Sequence, residues 1–443
     1  MRRSILLVSL LVLAAGACAP RTPASAIARL EAKRDAHPDA AKTLRALGIA
    51  YYQAGRWSDA QRVLTRAAEL APSDGVTALY LGMSAEQSGD LKTARAAYEG
   101  YVRHGRTSRV RAQLRNRLAA LARKELEAEA KAAVAQESSL GGDAGSPTTV
   151  AVMPLAFNGS DTTLATLGRG LADLMITDLS RSAQLTVVER DRLDALLDEV
   201  ARSRSGTVDS STLVRSGRLA RAGRMVRGSI TQLDAKSLRA DAAVLDVSTA
   251  RAGAPLGADF DLDAVFDAEK RIVLGVFADM GIALTAAERA AVEQRPTRSL
   301  AAFLAYSRGL AAEDAGRFDE AARLFEDAAR IDPGFGAARE GATRAQATSA
   351  GASVTPALVA GSLAGTSEGA VVAAAASGVD DAARLTSTAE SARDAINPSP
   401  AAIAAGAATT SVVPSKEGPA IATGGDNVTL NAGRIIIQVP LPK

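Results

Sequence analysis

The residues able to do covalent or metal chemistry in this 443-residue chain are few. There is one cysteine, Cys18, and there are two histidines, His37 and His104. One cysteine allows no internal disulfide, and this inventory cannot furnish the ligands of a structural zinc site. Four carboxylates, Glu189, Asp191, Asp194 and Asp198, fall close enough together to suggest an acid–base pair. Arg190 and Arg192 stand among them, and Asp191 occupies a position suited to helix N-capping, so the cluster reads as charge pairing and capping. Ser203 and Ser205 have no histidine in the same segment to take their protons. Gly168-Arg169-Gly170 lacks the third glycine of a dinucleotide loop, and Leu164 and Leu167 begin the helix earlier. No catalytic set can be assembled. The sequence predicts a protein that is not an enzyme and that uses no metal and no cofactor.

Cys18 differs from these because of what precedes it. Arg2 and Arg3 are followed by an apolar run from Ile5 to Ala15, well short of the roughly 20 residues that span a bilayer. The run ends in Leu13-Ala14-Ala15-Gly16-Ala17-Cys18. This segment resembles the lipobox of bacterial lipoprotein precursors, with Ala15 where that group usually has Leu or Val. The resemblance implies a signal peptide over residues 1–18 and acylation of Cys18. Each buried methylene adds about 0.8 kcal/mol, so two or three acyl chains anchor permanently. Ala19 follows the cysteine, not the aspartate that resembles an inner-membrane retention signal. The expected location is the periplasmic face of the outer membrane, reached through the lipid anchor alone.

Hydrophobic residues make up 47% of the chain and aromatic residues only 3%. Much of the apolar content is alanine, which favours closely packed helices over an aromatic-lined pocket. The 52 basic and 49 acidic residues leave a net charge of +3, whereas a nucleic-acid binder concentrates basic charge to neutralise phosphates. The nearest candidate, residues 106–123, carries Leu114, Leu118 and Leu121 and is followed by Glu125, Glu127 and Glu129. It reads as part of one long helix over residues 109–136 with a charged outer face. No nucleic-acid partner is predicted.

Internal periodicity organises the flanks. Gly48, Tyr51, Gly55, Ala60, Leu64, Ala67 and Pro72 recur 34 residues later as Gly82, Ala85, Gly89, Ala94, Tyr98 and Tyr101, without the proline. The same offsets return as Gly309, Ala312, Gly316, Ala321, Phe325, Ala328 and Pro333. Small residues at Gly48 and Ala60 let two antiparallel helices touch, Gly55 permits the turn, Leu64 fills the space between neighbours and Pro72 ends the second helix. The pattern resembles the tetratricopeptide repeat. Ala26, Leu30 and Pro38 match only the second helix of such a repeat, as a cap would. Tyr52 falls off the core pattern and Trp57 sits beside the first turn. These two are the candidate partner-contact residues.

Residues 138–148 read as a linker. Beyond them, strand–helix–strand–helix, a third helix and a small antiparallel set describe a compact α/β domain over residues 149–296. Val150-Ala151-Val152-Met153-Pro154-Leu155, the helix from Leu167 to Asp173, Leu185-Thr186-Val187-Val188-Glu189-Arg190, Leu196-Leu197-Asp198-Glu199 and Val226-Arg227-Gly228-Ser229-Ile230 resemble the periplasmic domain of the curli-secretion lipoprotein family, the CsgG type. The resemblance implies an outer-membrane lipoprotein and a docking or oligomerising module. Name-giving members form a ring-shaped export channel through inserted β-hairpins. No pair of alternating, lipid-facing segments of about ten residues is visible here.

The expected fold class is α+β and multidomain: all-α helical hairpins flank the compact α/β domain, and an Ala/Gly/Ser-rich tail follows. The N-terminal repeat module with the long helix spans residues 22–137, and a C-terminal hairpin spans 297–342. Residues 343–433 are expected to be disordered for want of surface to bury, and 434–439 form a short terminal strand. The expected function is binding of other periplasmic or outer-membrane proteins, with a central domain that docks or oligomerises. A subunit of a curli-type secretion channel is the alternative.

Overall fold

The computed structural model describes residues 23–139, 145–203 and 210–377. They fall into two compact units, one drawn from residues 23–107 and 363–377, the other from the described residues of 108–362. The signal segment with Cys18, Ser205, residues 378–433 of the tail and the terminal strand at 434–439 lie outside the described residues.

The first unit opens with α1 (Pro23–Ala36), α2 (Ala41–Gln53), α3 (Trp57–Leu70), α4 (Gly75–Gln87) and α5 (Leu91–His104). Repeat packing accounts for the pairs α2–α3 and α4–α5. A Cβ added at Gly48 would lie 2.3 Å from Leu64 Cγ, and one at Gly82 would lie 2.5 Å from Tyr98. Only glycine lets these helices meet. The turns close in the same way: Gly55 and Gly89 take φ of 73° and 80°. The next amides, Arg56 N and Asp90 N, donate back to Tyr51 O and Ala85 O at 2.9 Å, the Schellman closure that an αL glycine allows. Asp74 and Asp90 cap α4 and α5. Ala26, Ile27 and Leu30 of α1 are buried, and α1 packs on α2 as the half-repeat predicts.

The second unit begins with α6 (Ser108–Ala135). Its β1 (Ser146–Val152) starts inside the segment expected to be linker. Then come β2 (Ala156–Asn158), α7 (Leu167–Leu179), β3 (Thr186–Val187), α8 (Arg190–Ser203), α9 (Ser210–Ala220), β4 (Ala222–Gln232), β5 (Ser237–Asp246), β6 (Arg251–Ala252), β7 (Leu256–Asp261) and α10 (Val265–Asp279). Among the described residues the seven strands order as β3-β1-β4-β5-β6, with β2 also on β4 and β7 on β5. β1 runs parallel to β3 and β4, whereas β4 and β5 form an antiparallel hairpin that pairs Arg224 with Asp246 and Gln232 with Leu238. Side-chain alternation divides the burial. Val150, Val152, Val226, Leu238 and Val244 pack with Leu171, Met175, Val273 and Phe277. Ala151, Met225 and Leu245 pack with Leu193, Leu196 and Leu219.

The chain continues through α11 (Ala286–Val292), α12 (Leu300–Asp314), α13 (Phe318–Ile331), α14 (Gly336–Ala352) and α15 (Pro356–Leu363). Helices α12 and α13 repeat the N-terminal geometry: a Cβ on Gly309 would meet Phe325 at 2.6 Å, and Gly316 takes φ of 72°. Their core is continuous with that of the sheet, running from Val150 through Phe303, Tyr306 and Phe325 to Ala345. The C-terminal hairpin is thus part of the central body. Two glycines explain the join. A Cβ on Gly168 would strike Leu155 O, and one on Gly170 would strike Ser307 Oγ, so Gly168-Arg169-Gly170 serves close backbone packing.

Three further expectations need correction. The long helix α6 groups with the second unit, because its apolar stripe, including Val110, Leu114, Leu121 and Ala130, packs against α14 and α8. Asp191 is not the N-cap of α8, which already begins at Arg190. The tail is ordered well past residue 343: α14 extends to Ala352, α15 follows, and α16 (Ser367–Ser377) returns to the first unit. Its alanines gain burial from a surface elsewhere in the chain, which composition alone does not reveal. Strands β2 and β6 and helix α11 were not expected from the sequence.

Candidate functional site

The first helix of each repeat, α2 and α4, forms one face of the N-terminal module. Tyr52, half-buried on α2, meets Tyr80 of α4 edge-on with ring centroids 5.4 Å apart. Its ring thus helps to hold α2 against α4. Burial raises the hydroxyl pKa of both tyrosines above the usual value. Tyr51 is buried, and its hydroxyl donates to Glu31 at 2.6 Å while Arg56 lies over its ring at 4.2 Å. Ala60, Ala94 and Ala321 are fully buried at the helix crossings, and Pro72 and Pro333 follow the ends of α3 and α13.

Helix α16 lies against α1, α2 and α4. Its N-terminal end is fixed by Glu368, which is 5% exposed. That carboxylate accepts from Tyr101 Oη at 2.7 Å, from the Arg106 and Thr107 amides at 2.9 and 3.0 Å, and from Thr107 Oγ1 at 2.6 Å. Burial works against its charge, but the bonds from Thr107, Arg106 and Tyr101 outweigh it and lower the Glu368 pKa. Burial and the bond to Glu368 hold the Tyr101 hydroxyl firmly protonated as a donor. At the other end, Arg29 of α1 donates to Ser377 O at 3.4 Å. Ala374 and Ala375 are buried between these ends. Glu368 was missed in the sequence. Its one signal is that it stands as the only charged residue between Arg344 and Asp380.

Trp57, the first residue of α3, is 41% exposed. It lines a shallow cavity of about 380 Å³ with Gly55, Arg56, Ser58, Asp59, Gln87 and Ser88. The matching turn of the C-terminal repeat forms a cavity of about 360 Å³ around Phe318, but there the Arg123 guanidinium of α6 covers the ring at 5.5 Å.

The carboxylate cluster of α8 is structural. Arg190 pairs with Asp191 at 2.8 Å, Glu313 at 2.8 Å, Asp173 and Asp194 at 3.5 Å, and also with Asp314. Arg344 also bonds Glu313 at 2.8 Å, and Tyr306 donates to Asp173 at 2.8 Å. Burial raises Asp194 to about 6 even beside Arg190. A second buried set joins Lys270 to Asp178 and, at 3.2 Å, to Glu269. Burial, with the Asp178 charge adding to it, raises Glu269 from 4.5 to about 8. Among the described residues no group of three His, Cys, Asp or Glu side chains could hold a metal ion, and no single helix is long and apolar enough to cross a membrane.

These features define a repeat protein built around an α/β body. Residues 142–252 match the family described as the curli production assembly/transport component CsgG, and residues 21–75, 45–109 and 279–334 match the tetratricopeptide repeat. The chain combines a CsgG-type domain with tetratricopeptide repeats on both sides. Comparison with curated proteins gave no match.

Proposed function

We propose that this chain is a periplasmic scaffold, anchored to the outer membrane by lipid on Cys18, that binds other envelope proteins and performs no covalent chemistry. The observation that carries the reading is the N-terminal repeat module, whose face of α2 and α4 already holds a helix. Repeat surfaces of this kind recognise peptides by apolar anchors at helical spacing. Trp57 adds an exposed aromatic, the residue type that most often anchors an interface. The CsgG-type domain supplies a surface for docking or self-association. Crosslinking in intact cells with identification of captured proteins tests the scaffold. Capture of no envelope protein would defeat it. Cys18→Ser tests the anchor and should release the mature chain into the soluble periplasmic fraction.

The curli description also favours a second reading, a subunit of an oligomeric export channel. Against it, the β4–β5 hairpin turns Val226, Ile230, Leu238 and Val244 into the core rather than outward. The purified chain should give no stable pores in planar bilayers. Reproducible single-channel steps would put the channel first.

A further inference from the structure

The contacts of α16 are those of a bound ligand. It crosses the inner helices of the repeat module and is latched at both ends. Its 11 residues reach about 16 Å at 1.5 Å per residue, enough to run from the α5 end of the module to α1. The polar anchor is specific. Four donors converge on one buried carboxylate, two of them backbone amides that no side-chain substitution removes. A lysine or an amide could not accept all four bonds, since the pocket offers donors alone. After the anchor, α16 presents only Gly, Ala, Val and Ser, and it buries Ala374 and Ala375. The groove therefore accepts small side chains six and seven residues beyond the carboxylate.

We infer that the N-terminal repeat groove is a receptor for an alanine-rich helix with a carboxylate in its first turn, read by Tyr101, Arg106 and Thr107, and that α16 occupies this receptor in cis until a partner helix displaces it. The inference rests on the scaffold reading and deepens it by giving the ligand's chemistry. Competition follows from mass action: a groove filled by its own helix binds an external one in proportion to the fraction of time it is empty.

The test uses the full chain and a fluorescein-labelled synthetic peptide of residues 364–377. Anisotropy titrations compare the wild-type chain with Glu368→Ala, in which the internal helix has lost its anchor. The Glu368→Ala chain should bind the peptide at least about tenfold more tightly than wild type, since hydrogen bonds to a buried charge set the occupancy. Adding Thr107→Val to that chain should reverse the gain, and a peptide with alanine in place of the glutamate should bind neither chain. Hydrogen exchange keeps folding separate: α16 amides should exchange faster in Glu368→Ala while α2 to α5 stay protected. Equal peptide affinity for wild type and Glu368→Ala overturns the inference. So does loss of protection across α2 to α5, which would make α16 a structural cap. Neither result touches the scaffold reading, which falls only if crosslinking captures no envelope protein.

Discussion

The N-terminal and C-terminal repeats are built by one code and put to different ends. Gly48 against Leu64 and Gly309 against Phe325 bring the paired helices together alike, and Gly55 and Gly316 turn them with nearly equal φ. Around the C-terminal pair the neighbours belong to one body: α7 lies against α12, the Arg123 guanidinium lies over Phe318 beside its open cavity, and Arg190 and Arg344 converge on Glu313. Around the N-terminal pair Trp57 is open, and a short alanine-rich helix lies across the first helices of the repeats. The lesson is that repeat identity resides in the small residues at helix crossings. Whether a repeat binds a partner or fuses to a body is decided by what its surface positions meet.

The largest effect separating the two should come from Arg190→Met. It leaves Asp173, Asp194 and Glu313 with one fewer cation in a buried cluster, and removing one partner of a buried ionic set costs about 3–5 kcal/mol. Chemical denaturation followed by hydrogen exchange should show α7, α8 and α12 losing protection while α2 to α5 keep theirs. Next come Ala60→Leu and Ala321→Leu, each forcing volume into a fully buried crossing at a cost of about 1–3 kcal/mol. The first should loosen the N-terminal module alone, and the second should weaken the β-sheet as well, because α13 shares its core. Uniform unfolding in both variants would erase the distinction.

A smaller effect depends on pH. Glu269 has its pKa raised from 4.5 to about 8, so its contribution is fully present below about 4.5 and is lost as pH rises toward 8. Across that window the stability of the second unit should fall by up to about 1.4 kcal/mol per pH unit from this group. Glu269→Gln should flatten the slope and leave the first unit's profile unchanged. An unchanged slope in the variant would show that Glu269 is ionised in the fold. The smallest effect on stability belongs to Trp57→Ala, expected to stay within about 0.5 kcal/mol as an exposed substitution.

How much of this was legible depends on range. The repeats could be read because Gly48, Ala60 and Leu64 meet partners within one 34-residue unit. The central strands and helices could be read because Leu171, Met175 and Leu179, or Leu238 and Val244, mark periods of 3.6 and 2. The Arg190 network could not be read fully: its local half, Asp191 and Asp194, was visible, but Glu313 and Arg344 arrive more than a hundred residues later. Helix α16 was invisible for the same reason. An Ala/Gly/Ser run without aromatics has little surface of its own to bury, and its order comes from a groove and from Tyr101, 267 residues earlier than Glu368.

The most direct test of the receptor-against-body contrast is position-resolved photocrosslinking in intact cells, with a benzophenone amino acid placed at position 57 or at position 318. Position 57 should capture envelope proteins reproducibly, and position 318, beneath Arg123, should capture none. Equal yields from the two positions, or capture from 318 alone, would contradict the account.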